Sequence, residues 1–185
     1  MVERQFTSDW FSNAIELWTT LALPLLPKEN VQCLEIGSYE GRSACWILDN
    51  IVNKFPNSHL DCVDLWPGLH EQEAAFDRNL AGETRVTKHK GFSIEFLYRA
   101  CREQAKYDFI YVDADHHAEF AFTDATLAWH CLKKKGVMII DDYLYTGDEI
   151  RGLPSTKTGI DAFLHLYPDE IRLLAMEYQV YLQKR

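Results

Sequence analysis

The segment CLEIGSYEGRS, residues 33–43, joins a strand-like run to a helix-like run through a turn of small residues. The apolar run stops at Glu35, and Gly37, Ser38 and Gly41 then occupy the turn. In open α/β sheets, ligands bind beyond the carboxyl ends of the strands, where such a turn lets a ligand lie against bare backbone and a helix amino terminus. The segment therefore predicts a ligand site after the first strand. The alternative is a tight turn that needs glycine for its own dihedral angles.

Strand-like and helix-like segments alternate along most of the chain. Because the strands are apolar on both faces and separated by helices, they indicate a parallel sheet covered on both sides. Two last strand-like runs, 170–176 and 178–184, are separated by almost nothing and predict a terminal hairpin. The predicted fold is α/β: a single Rossmann-like doubly wound domain with a mostly parallel seven-stranded sheet, a C-terminal antiparallel hairpin and helices on both faces. The other predicted strands are 31–36, 59–64, 84–89, 107–113 and 136–141, and the predicted helices are 8–23, 42–54, 70–81, 93–105, 117–133 and 159–166.

Composition and charge limit the classes of function. A length of 185 residues with 47% hydrophobic residues suits one domain, so we expect residues 1–185 to form a single domain. The formal net charge of -9 gives no general attraction for phosphate backbones, and no nucleic acid partner is expected. The sequence has neither a membrane-spanning run nor a secretory signal, so no membrane partner is expected. The five cysteines lack C-x-x-C spacing and indicate reduced, buried thiols in a cytoplasmic protein.

Asp64 ends the second predicted strand, about twenty residues after the glycine turn, where a carboxylate can accept both ribose hydroxyls of a nucleoside. The turn has the spacing E-x-G-x-x-x-G rather than the G-x-G-x-x-G dinucleotide fingerprint, which disfavours a nicotinamide oxidoreductase. The alternative for Asp64 is an ordinary turn residue before Trp66 and Pro67.

Four aspartates end two strands that we expect to be neighbours. Asp113 and Asp115 follow the fourth strand and Asp141 and Asp142 follow the fifth, so their carboxylates would lie roughly 5 Å apart. Like charges at that distance raise one another's pKa, which favours a bound cation. Oxygen ligands suit magnesium, manganese or calcium, and we expect Asp113, Asp141 and Asp142 to hold the ion. The alternative is that Asp115 caps a helix near His116 and that the other two begin a loop.

Five pieces of the sequence occur in a recognisable order between about residues 31 and 166. They are LEIGSYEGRSA, DLW at 64–66, HKGFS at 89–93, YDFIYVDADH at 107–116 and GVMIIDDY at 136–143. Together they resemble the successive motifs of the class I S-adenosylmethionine-dependent methyltransferases. More narrowly, they resemble the catechol/caffeoyl-CoA-type and macrocin-type sugar O-methyltransferases.

The resemblance implies S-adenosylmethionine as the cofactor and assigns residues to it. Asp64 would bind the ribose, and Leu65 or Trp66 together with Phe92 and Ser93 would flank the adenine. Residues of the glycine turn would surround the methionine part. The expected cofactor contacts are Glu35, Gly37, Ser38, Tyr39, Gly41, Ser43, Asp64, Leu65, Trp66, Gly91, Phe92, Ser93 and Asp113.

For catalysis, the resemblance supports the metal site and suggests a base. Asp113, Asp141 and Asp142 repeat the metal pattern of the sugar O-methyltransferases, whereas catechol-type members usually have Asn in place of Asp142. Asp115 matches the base proposed for the sugar enzymes, and His116 stands where catechol-type enzymes carry a lysine. An imidazole with an ordinary pKa of about 6.5 is competent near physiological pH. The expected catalytic residues are Asp115 and His116, with no choice made between them.

Two segments lie outside the alternating core. Residues 1–30 predict a helical segment with Phe11 and Trp18 on one face, which either packs on the sheet or forms a lid, as in the related enzymes. Residues 143–158 predict a long loop that contacts substrate, because long loops in compact domains often carry function.

The predicted function is metal-assisted O-methylation of a hydroxyl on a small molecule such as a sugar, diol or phenol. The protein's main contribution would be to hold the acceptor oxygen in line with the sulfonium carbon. The alternatives are a metal-independent methyltransferase and a cofactor-binding but catalytically silent regulatory or partner protein. Methyltransferases that modify nucleic acid amino groups are disfavoured, because DADH at 113–116 replaces their Asn/Asp-Pro-Pro-aromatic stretch. The sequence leaves a homodimer open.

Overall fold

The computed structural model describes residues 3–67, 70–147 and 152–185. Residues 148–151 of the predicted substrate loop lie outside this range. The strands are β1 (Gln32–Ile36), β2 (His59–Asp64), β3 (Val86–Lys90), β4 (Tyr107–Val112), β5 (Leu132–Ile140), β6 (Ile171–Met176) and β7 (Val180–Lys184). The α-helices are α1 (Ile15–Leu17), α2 (Arg42–Ile47), α3 (His70–Asn79), α4 (Ser93–Arg102), α5 (Ala118–Cys131) and α6 (Thr156–Leu166).

The seven strands form one sheet in the order β3-β2-β1-β4-β5-β7-β6. Strands β1 to β5 pair in parallel, whereas β7 runs antiparallel to both β5 and β6. The chain builds the sheet outward from β1 through β2 and β3, and then returns to add β4 and β5 on the other side. The boundary between β1 and β4 is therefore the topological switch point, where folds of this kind bind ligands.

Alternate residues of the central strands supply two hydrophobic cores. On β1, Cys33 packs into the core under the N-terminal segment, α2 and α3, whereas Leu34 and Ile36 pack into the core under α4, α5 and α6. The predicted doubly wound α/β fold, with its C-terminal antiparallel hairpin, is confirmed. Within the part of the chain that the structure describes, no helix is both long enough and apolar enough to cross a membrane.

The N-terminal segment differs from the single helix predicted over 8–23. Around α1, the 3₁₀ turns Ser12–Ala14 and Leu23–Leu25 and the π-helical turn Trp18–Ala22 replace regular helix. Pro24 cannot donate a helical hydrogen bond, and threonine hydroxyls at 19 and 20 bond to carbonyl oxygens four residues earlier, which distorts helices. The completely buried Trp18 packs against β4, so tertiary packing holds the broken segment on the sheet.

Several further boundaries differ from the predicted ones, and helix α2 ends at Ile47, where a π-helical turn over Leu48–Val52 takes up most of the remaining predicted helix. Strand β5 begins at Leu132, directly after α5, rather than at 136, and an ion pair of 2.7 Å between Lys133 and Asp108 joins this extra length to β4. Helix α6 begins at Thr156 rather than at 159. A Cβ on Gly159 would lie 2.1 Å from the carbonyl oxygen of the first residue of α5, so this glycine lets α6 pack closely on α5.

The two glycines of the turn after β1 are required by the protein's own backbone. Gly37 has a φ of 87°, and a Cβ there would lie 1.8 Å from the carbonyl oxygen of Asp113. Gly41 has a φ of 81° at the N-cap of α2, where a Cβ would lie 3.0 Å from the ring of Phe76. The close approach at Gly37 is therefore to the end of β4, whether or not a ligand also lies along the turn.

We predict that Gly37→Ala lowers the free energy of unfolding more than Gly82→Ala does. Gly82 has a similar φ of 82° but open space where its Cβ would be. The cost of a left-handed alanine, about 1–2 kcal/mol, is common to both variants. Overpacking against the Asp113 carbonyl adds about 1–3 kcal/mol for Gly37→Ala alone. Urea denaturation measures both variants, and equal losses would contradict the close approach.

Candidate functional site

The carboxyl ends of β1, β2, β4 and β5 meet at one edge of the sheet. Hydrogen bonds extend the strand pairing here: the N–H of Asp113 donates to the carbonyl of Ile36 at 2.7 Å, and the N–H of Asp141 donates to that of Val112 at 2.9 Å. The glycine turn, Asp113 and the pair of aspartates after β5 consequently line a single rim. This rim includes the switch point between β1 and β4.

Asp64, at the end of β2, holds the glycine turn in place. Its Oδ2 accepts the N–H groups of Ser38 and Tyr39, both at 2.8 Å, and its Oδ1 accepts the N–H of Trp66 at 2.7 Å. These bonds support the left-handed conformation of Tyr39, whose φ is 47°. A carboxylate has about four acceptor sites, so Asp64 keeps capacity for the predicted bond to ribose while it shapes the turn.

Glu35 lies completely buried on β1 beside the turn. Its Oε2 accepts the hydroxyl of Ser38 at 2.6 Å, while its Oε1 has no hydrogen-bond partner among residues 3–67, 70–147 and 152–185. Burial raises the pKa of Glu35 to about 7, against the opposing effect of hydrogen bonds from Ser38, Ser43 and Cys62. A buried, unsatisfied carboxyl oxygen is a place where a ligand's donor group gains a strong partner.

The predicted adenine contacts differ in their exposure. Trp66 is 2% exposed, its Nε1 donates to the carbonyl of Tyr39 at 2.8 Å, and its ring packs on Phe76. Its ring therefore packs between the turn and Phe76. This burial does not match the contact with adenine that was expected of Leu65 or Trp66. Leu65 is half-buried and Phe92 is 58% exposed, so these two remain accessible to a ligand.

Gly91 and Ser93 belong to the connection from β3 to α4. The N–H of Gly91 donates to the carbonyl of Asp64 at 2.9 Å, which places this connection beside the end of β2. The hydroxyl of Ser93 donates to Oδ2 of Asp124 at 3.0 Å. Asp124 is 1% exposed, burial raises its pKa to about 6, and its Oδ1 is unsatisfied within the described ranges. Ser93 thus contacts a buried acid on α5 that the sequence did not suggest.

Trp10 is an exposed N-terminal residue that lies against the turn. Its side chain is 76% exposed, and its ring centroid lies 5.2 Å from that of Tyr39. Phe11 and Trp18 are buried in the core instead. Packing on the sheet therefore describes most of the predicted segment, and Trp10 is placed to cover a ligand bound along the turn.

Asp113 and Asp141 share one tyrosine partner. The hydroxyl of Tyr111 lies 2.9 Å from Oδ2 of Asp113 and also contacts Oδ2 of Asp141. Gln179 Nε2 donates to the same Asp141 oxygen at 2.6 Å, and the N–H of Asp142 donates to the other oxygen at 2.7 Å. Burial and the neighbouring Asp142 charge raise the pKa of Asp141 to about 6. Both oxygens of Asp141 are thus engaged by protein donors.

Asp113, His116 and Asp142 form a group of potential metal ligands, with one donor atom from each within 4.8 Å of the others. The His116 Nε2 lies 2.9 Å from Oδ2 of Asp142. Burial, together with the charges of Asp141 and Asp142, raises the pKa of Asp113 well above its ordinary value. The predicted ligand set was Asp113, Asp141 and Asp142, and this group joins His116 to two of its members. A cation here would offset the repulsion between the two carboxylates.

The two predicted catalytic residues have different partners. Asp115 accepts the N–H of His117 at 2.8 Å through Oδ1, which also lies 2.6 Å from the His117 Nδ1. His116 lies at the rim, where its ring centroid is 4.4 Å from that of Tyr145 in addition to the contact with Asp142. Asp115 thus orders the start of α5, and His116 shares the rim with the acidic group.

A family model described as a methyltransferase domain matches residues 34–143. This range exceeds half of the chain and runs from β1 to just beyond the aspartates after β5. The chain belongs to this methyltransferase family. The predicted membership in the class I S-adenosylmethionine-dependent methyltransferases is thereby confirmed. A search of curated proteins found no match.

Solved methyltransferase structures share this fold. An O-methyltransferase from Bacillus cereus in complex with SAH has a TM-score of 0.75 at 16% identity, over 97% of this chain and 84% of that one. The O-methyltransferase TomG from Streptomyces achromogenes, involved in tomaymycin synthesis, was solved in complex with SAM. It has a TM-score of 0.71 at 17% identity, over 96% of this chain and 82% of TomG. MycE from the mycinamycin biosynthetic pathway, in complex with Mg, SAH and mycinamycin VI, has a TM-score of 0.67 at 17% identity. The match covers 96% of this chain and 50% of MycE. This chain therefore spans about half the length of MycE.

Sequence reasoning missed the residues that hold Asp141 in the methyltransferase rim. Tyr111 lies two positions before Asp113 on β4, and residues two apart share a face of a strand, so strand alternation offered a signal for it. Gln179 comes from the hairpin before β7 and reaches Asp141 only through the strand order. No local pattern identifies Gln179.

We predict that Glu35 makes the folded protein less stable as the pH rises. Its pKa increases from 4.5 in the unfolded chain to about 7, so the folded state binds more protons in this window and the free energy of unfolding falls with rising pH. Glu35→Gln stays neutral and is expected to remove that fall, which makes it more stable than wild type by about 3 kcal/mol above the window.

Urea denaturation below and above this window measures the effect. Glu16→Gln, at an exposed position, is the matched control and is expected to retain the fall. The same pH dependence in wild type and Glu35→Gln would exclude a buried carboxyl group with a raised pKa at this position.

Proposed function

We propose that the protein transfers the methyl group of S-adenosylmethionine to a hydroxyl oxygen of a small molecule, with a divalent cation held by Asp113 and Asp142 and with His116 as the general base. The observation that carries this proposal is the meeting of these three side chains at the rim that also carries the glycine turn. Their position allows one bound cofactor and one acceptor to meet over the switch point.

Several features of the turn fit the cofactor. The turn lacks the additional glycine that a pyrophosphate requires, and S-adenosylmethionine has no pyrophosphate. The unsatisfied Oε1 of Glu35 suits a donor such as the ammonium group of the methionine part. Asp64 has remaining acceptor capacity for ribose hydroxyls, and Leu65 and Phe92 offer accessible apolar surface for adenine. The folds of two O-methyltransferases that contain SAH or SAM support this choice.

The acidic group fits a divalent cation. Two neighbouring carboxylates favour a positive ion, and the raised pKa of Asp113 reflects the burial and like charges that such an ion would counteract. Carboxylate oxygens suit magnesium, manganese or calcium. When bound, the cation would act as a Lewis acid that lowers the pKa of the acceptor hydroxyl. MycE, which shares the fold, contains Mg in its complex.

His116 is better placed than Asp115 to accept a proton. Asp115 is engaged with His117 at the start of α5, while His116 lies against Asp142 at the rim. When the His116 Nε2 donates to Asp142, its Nδ1 carries the lone pair that accepts the hydroxyl proton. Asp142 then orients the ring, as carboxylates do for histidine bases in other enzymes.

The acceptor is proposed to be a small hydroxylated molecule rather than a nucleic acid. The net charge of -9 opposes binding to a phosphate backbone. The described parts of the 143–158 segment carry two exposed apolar side chains, Leu144 at 53% and Leu153 at 43%. These side chains provide apolar surface for an acceptor such as a phenol, diol or glycoside.

We predict that His116→Gln lowers kcat for methyl transfer by about 10²–10⁴, because it removes the general base while leaving the glycine turn unchanged. His117→Gln is the matched control and is expected to retain near wild-type kcat, since His117 pairs with Asp115 at the start of α5. Transfer of labelled methyl groups to a panel of phenols, vicinal diols and glycosides measures kcat, and calorimetry measures metal affinity. A loss of metal affinity in His116→Gln would identify His116 as a ligand instead of the base.

We predict that Asp142→Ala abolishes metal-dependent turnover while affinity for S-adenosylmethionine is retained, because the cofactor turn does not use Asp142. The exposed Asp169→Ala is the matched control and is expected to behave as wild type. Turnover with and without a chelator, followed by readdition of magnesium or manganese, measures the metal dependence. Full wild-type activity in chelator would refute the metal site, and cofactor binding with no turnover on the panel would support a catalytically silent protein.

A further inference from the structure

Two cysteine thiols lie side by side away from the rim. The Sγ atoms of Cys101 and Cys131 are 3.4 Å apart and join the last turn of α4 to the last residue of α5. Cys101 is partly exposed and Cys131 is completely buried. One residue of the pair is therefore partly open to solvent, and the sulfur of the other lies in contact with its sulfur.

We propose that Cys101 and Cys131 form a reversible oxidation site that closes to a disulfide when a peroxide reaches Cys101. The Cys101 thiolate attacks one peroxide oxygen, the O–O bond breaks, and Cys101 becomes a sulfenic acid while water leaves. The sulfur of Cys131 then attacks Sγ of Cys101, the S–O bond breaks, and the sulfenic oxygen departs as a second water with the Cys131 proton. Two thiols lose two electrons in total, and the peroxide gains them.

The geometry at the helix ends allows this bond. A disulfide needs its sulfurs at about 2.05 Å, so the two must approach by about 1.4 Å. The Cys101 thiol also lies 3.5 Å from the carbonyl of Leu127, one turn before Cys131, which keeps it directed toward α5. Both residues are in the final turn of a helix, where backbone shifts cost less than in the middle.

Charges around Cys131 suit the role of the second, resolving thiol. Burial and the Cys101 thiol raise the pKa of Cys131 to about 12, against the opposing charges of Lys106 and Lys184. Both lysines donate to carbonyl oxygens of the last turn of α5, at 2.7 Å. A buried thiol of this kind reacts poorly with peroxide itself but lies in contact with the oxidised neighbour, so attack within the protein is favoured by proximity.

The other three cysteines lack this combination of exposure and partner. Cys33, Cys45 and Cys62 are 1%, 3% and 0% exposed, and burial raises the pKa of each thiol. The sulfur of Cys45 lies 3.9 Å from the carbonyl oxygen of Asn79. These residues supply internal controls for an oxidation experiment on the folded protein.

The test exposes the folded full-length protein to hydrogen peroxide and measures its intact mass, its free thiols and its tryptic peptides. The expected product is a monomer that is lighter by two hydrogen atoms, has two fewer thiols and carries a link between the peptides of Cys101 and Cys131, which trypsin separates at Arg102 and Lys106. Dithiothreitol is expected to restore the original mass. The linked protein is expected to have a higher melting temperature, because the link restricts the unfolded chain.

Variants and a second probe keep the result decisive. Cys101→Ser and Cys131→Ser are each expected to lose the link, and Cys45→Ala is expected to retain it. Phenylarsine oxide, which bridges two neighbouring thiols, is expected to bind one equivalent of folded wild type and none of either serine variant. Sulfinic acid at Cys101 without a link, a link to another cysteine, or no arsenical binding by folded wild type would each overturn the proposal. None of these measurements depends on methyl transfer.

Discussion

The approach of Gly37 to the carbonyl oxygen of Asp113 sets the distance between the two halves of the rim, which are the glycine turn and the acidic group after β4 and β5. The N–H of Gly37 donates to the carbonyl of Val63 at 2.8 Å, and the N–H of Asp113 donates to that of Ile36 at 2.7 Å, so the ends of β2, β1 and β4 are held in one line. A side chain on Gly37 would separate the turn from β4 and move the acidic group away from it. A residue with no side chain thus fixes how far a ligand on the turn lies from the aspartates.

The carboxylates of the acidic group differ in their hydrogen-bond partners. Asp141 receives protein donors on both oxygens, and its partner Gln179 accepts in turn from the Trp18 indole at 2.8 Å and the Tyr181 hydroxyl at 2.7 Å. Trp18 belongs to the N-terminal segment, so a continuous set of hydrogen bonds runs from that segment through the hairpin to the rim. The N-terminal segment therefore supports the site from within the core, in addition to presenting Trp10 over the turn. Asp113 and Asp142 also have protein partners: the Tyr111 hydroxyl contacts Asp113, and the Tyr178 hydroxyl and the His116 ring contact Asp142.

The sequence predicted the architecture well because the spacing of apolar residues along the chain indicates which residues are buried. The strands and the helices between them were apparent from apolar runs, and the rim followed from the rule that parallel strands end at the same edge. The N-terminal helix was predicted less well, since Pro24 and the packing of Trp18 override a helical pattern that alone looks regular. The contact between Asp141 and Gln179 was not predicted either, because the two residues lie more than thirty positions apart in sequence. Contacts that cross the sheet leave no periodic signal.

The two halves of the rim differ in how complete the protein leaves them. Asp64, Ser38 and the buried Trp66 shape the glycine turn without a ligand, so little conformational entropy remains to be lost when a cofactor binds there. The acidic half instead retains electrostatic repulsion that a bound cation would remove, and any ligand that binds only the folded state adds to its stability. The glycine turn is already shaped, whereas the acidic group keeps its electrostatic repulsion. This difference favours an order of binding in which the cofactor occupies the turn first. Under the proposed function, a cation and the acceptor oxygen would then complete the charge balance next to the methyl group.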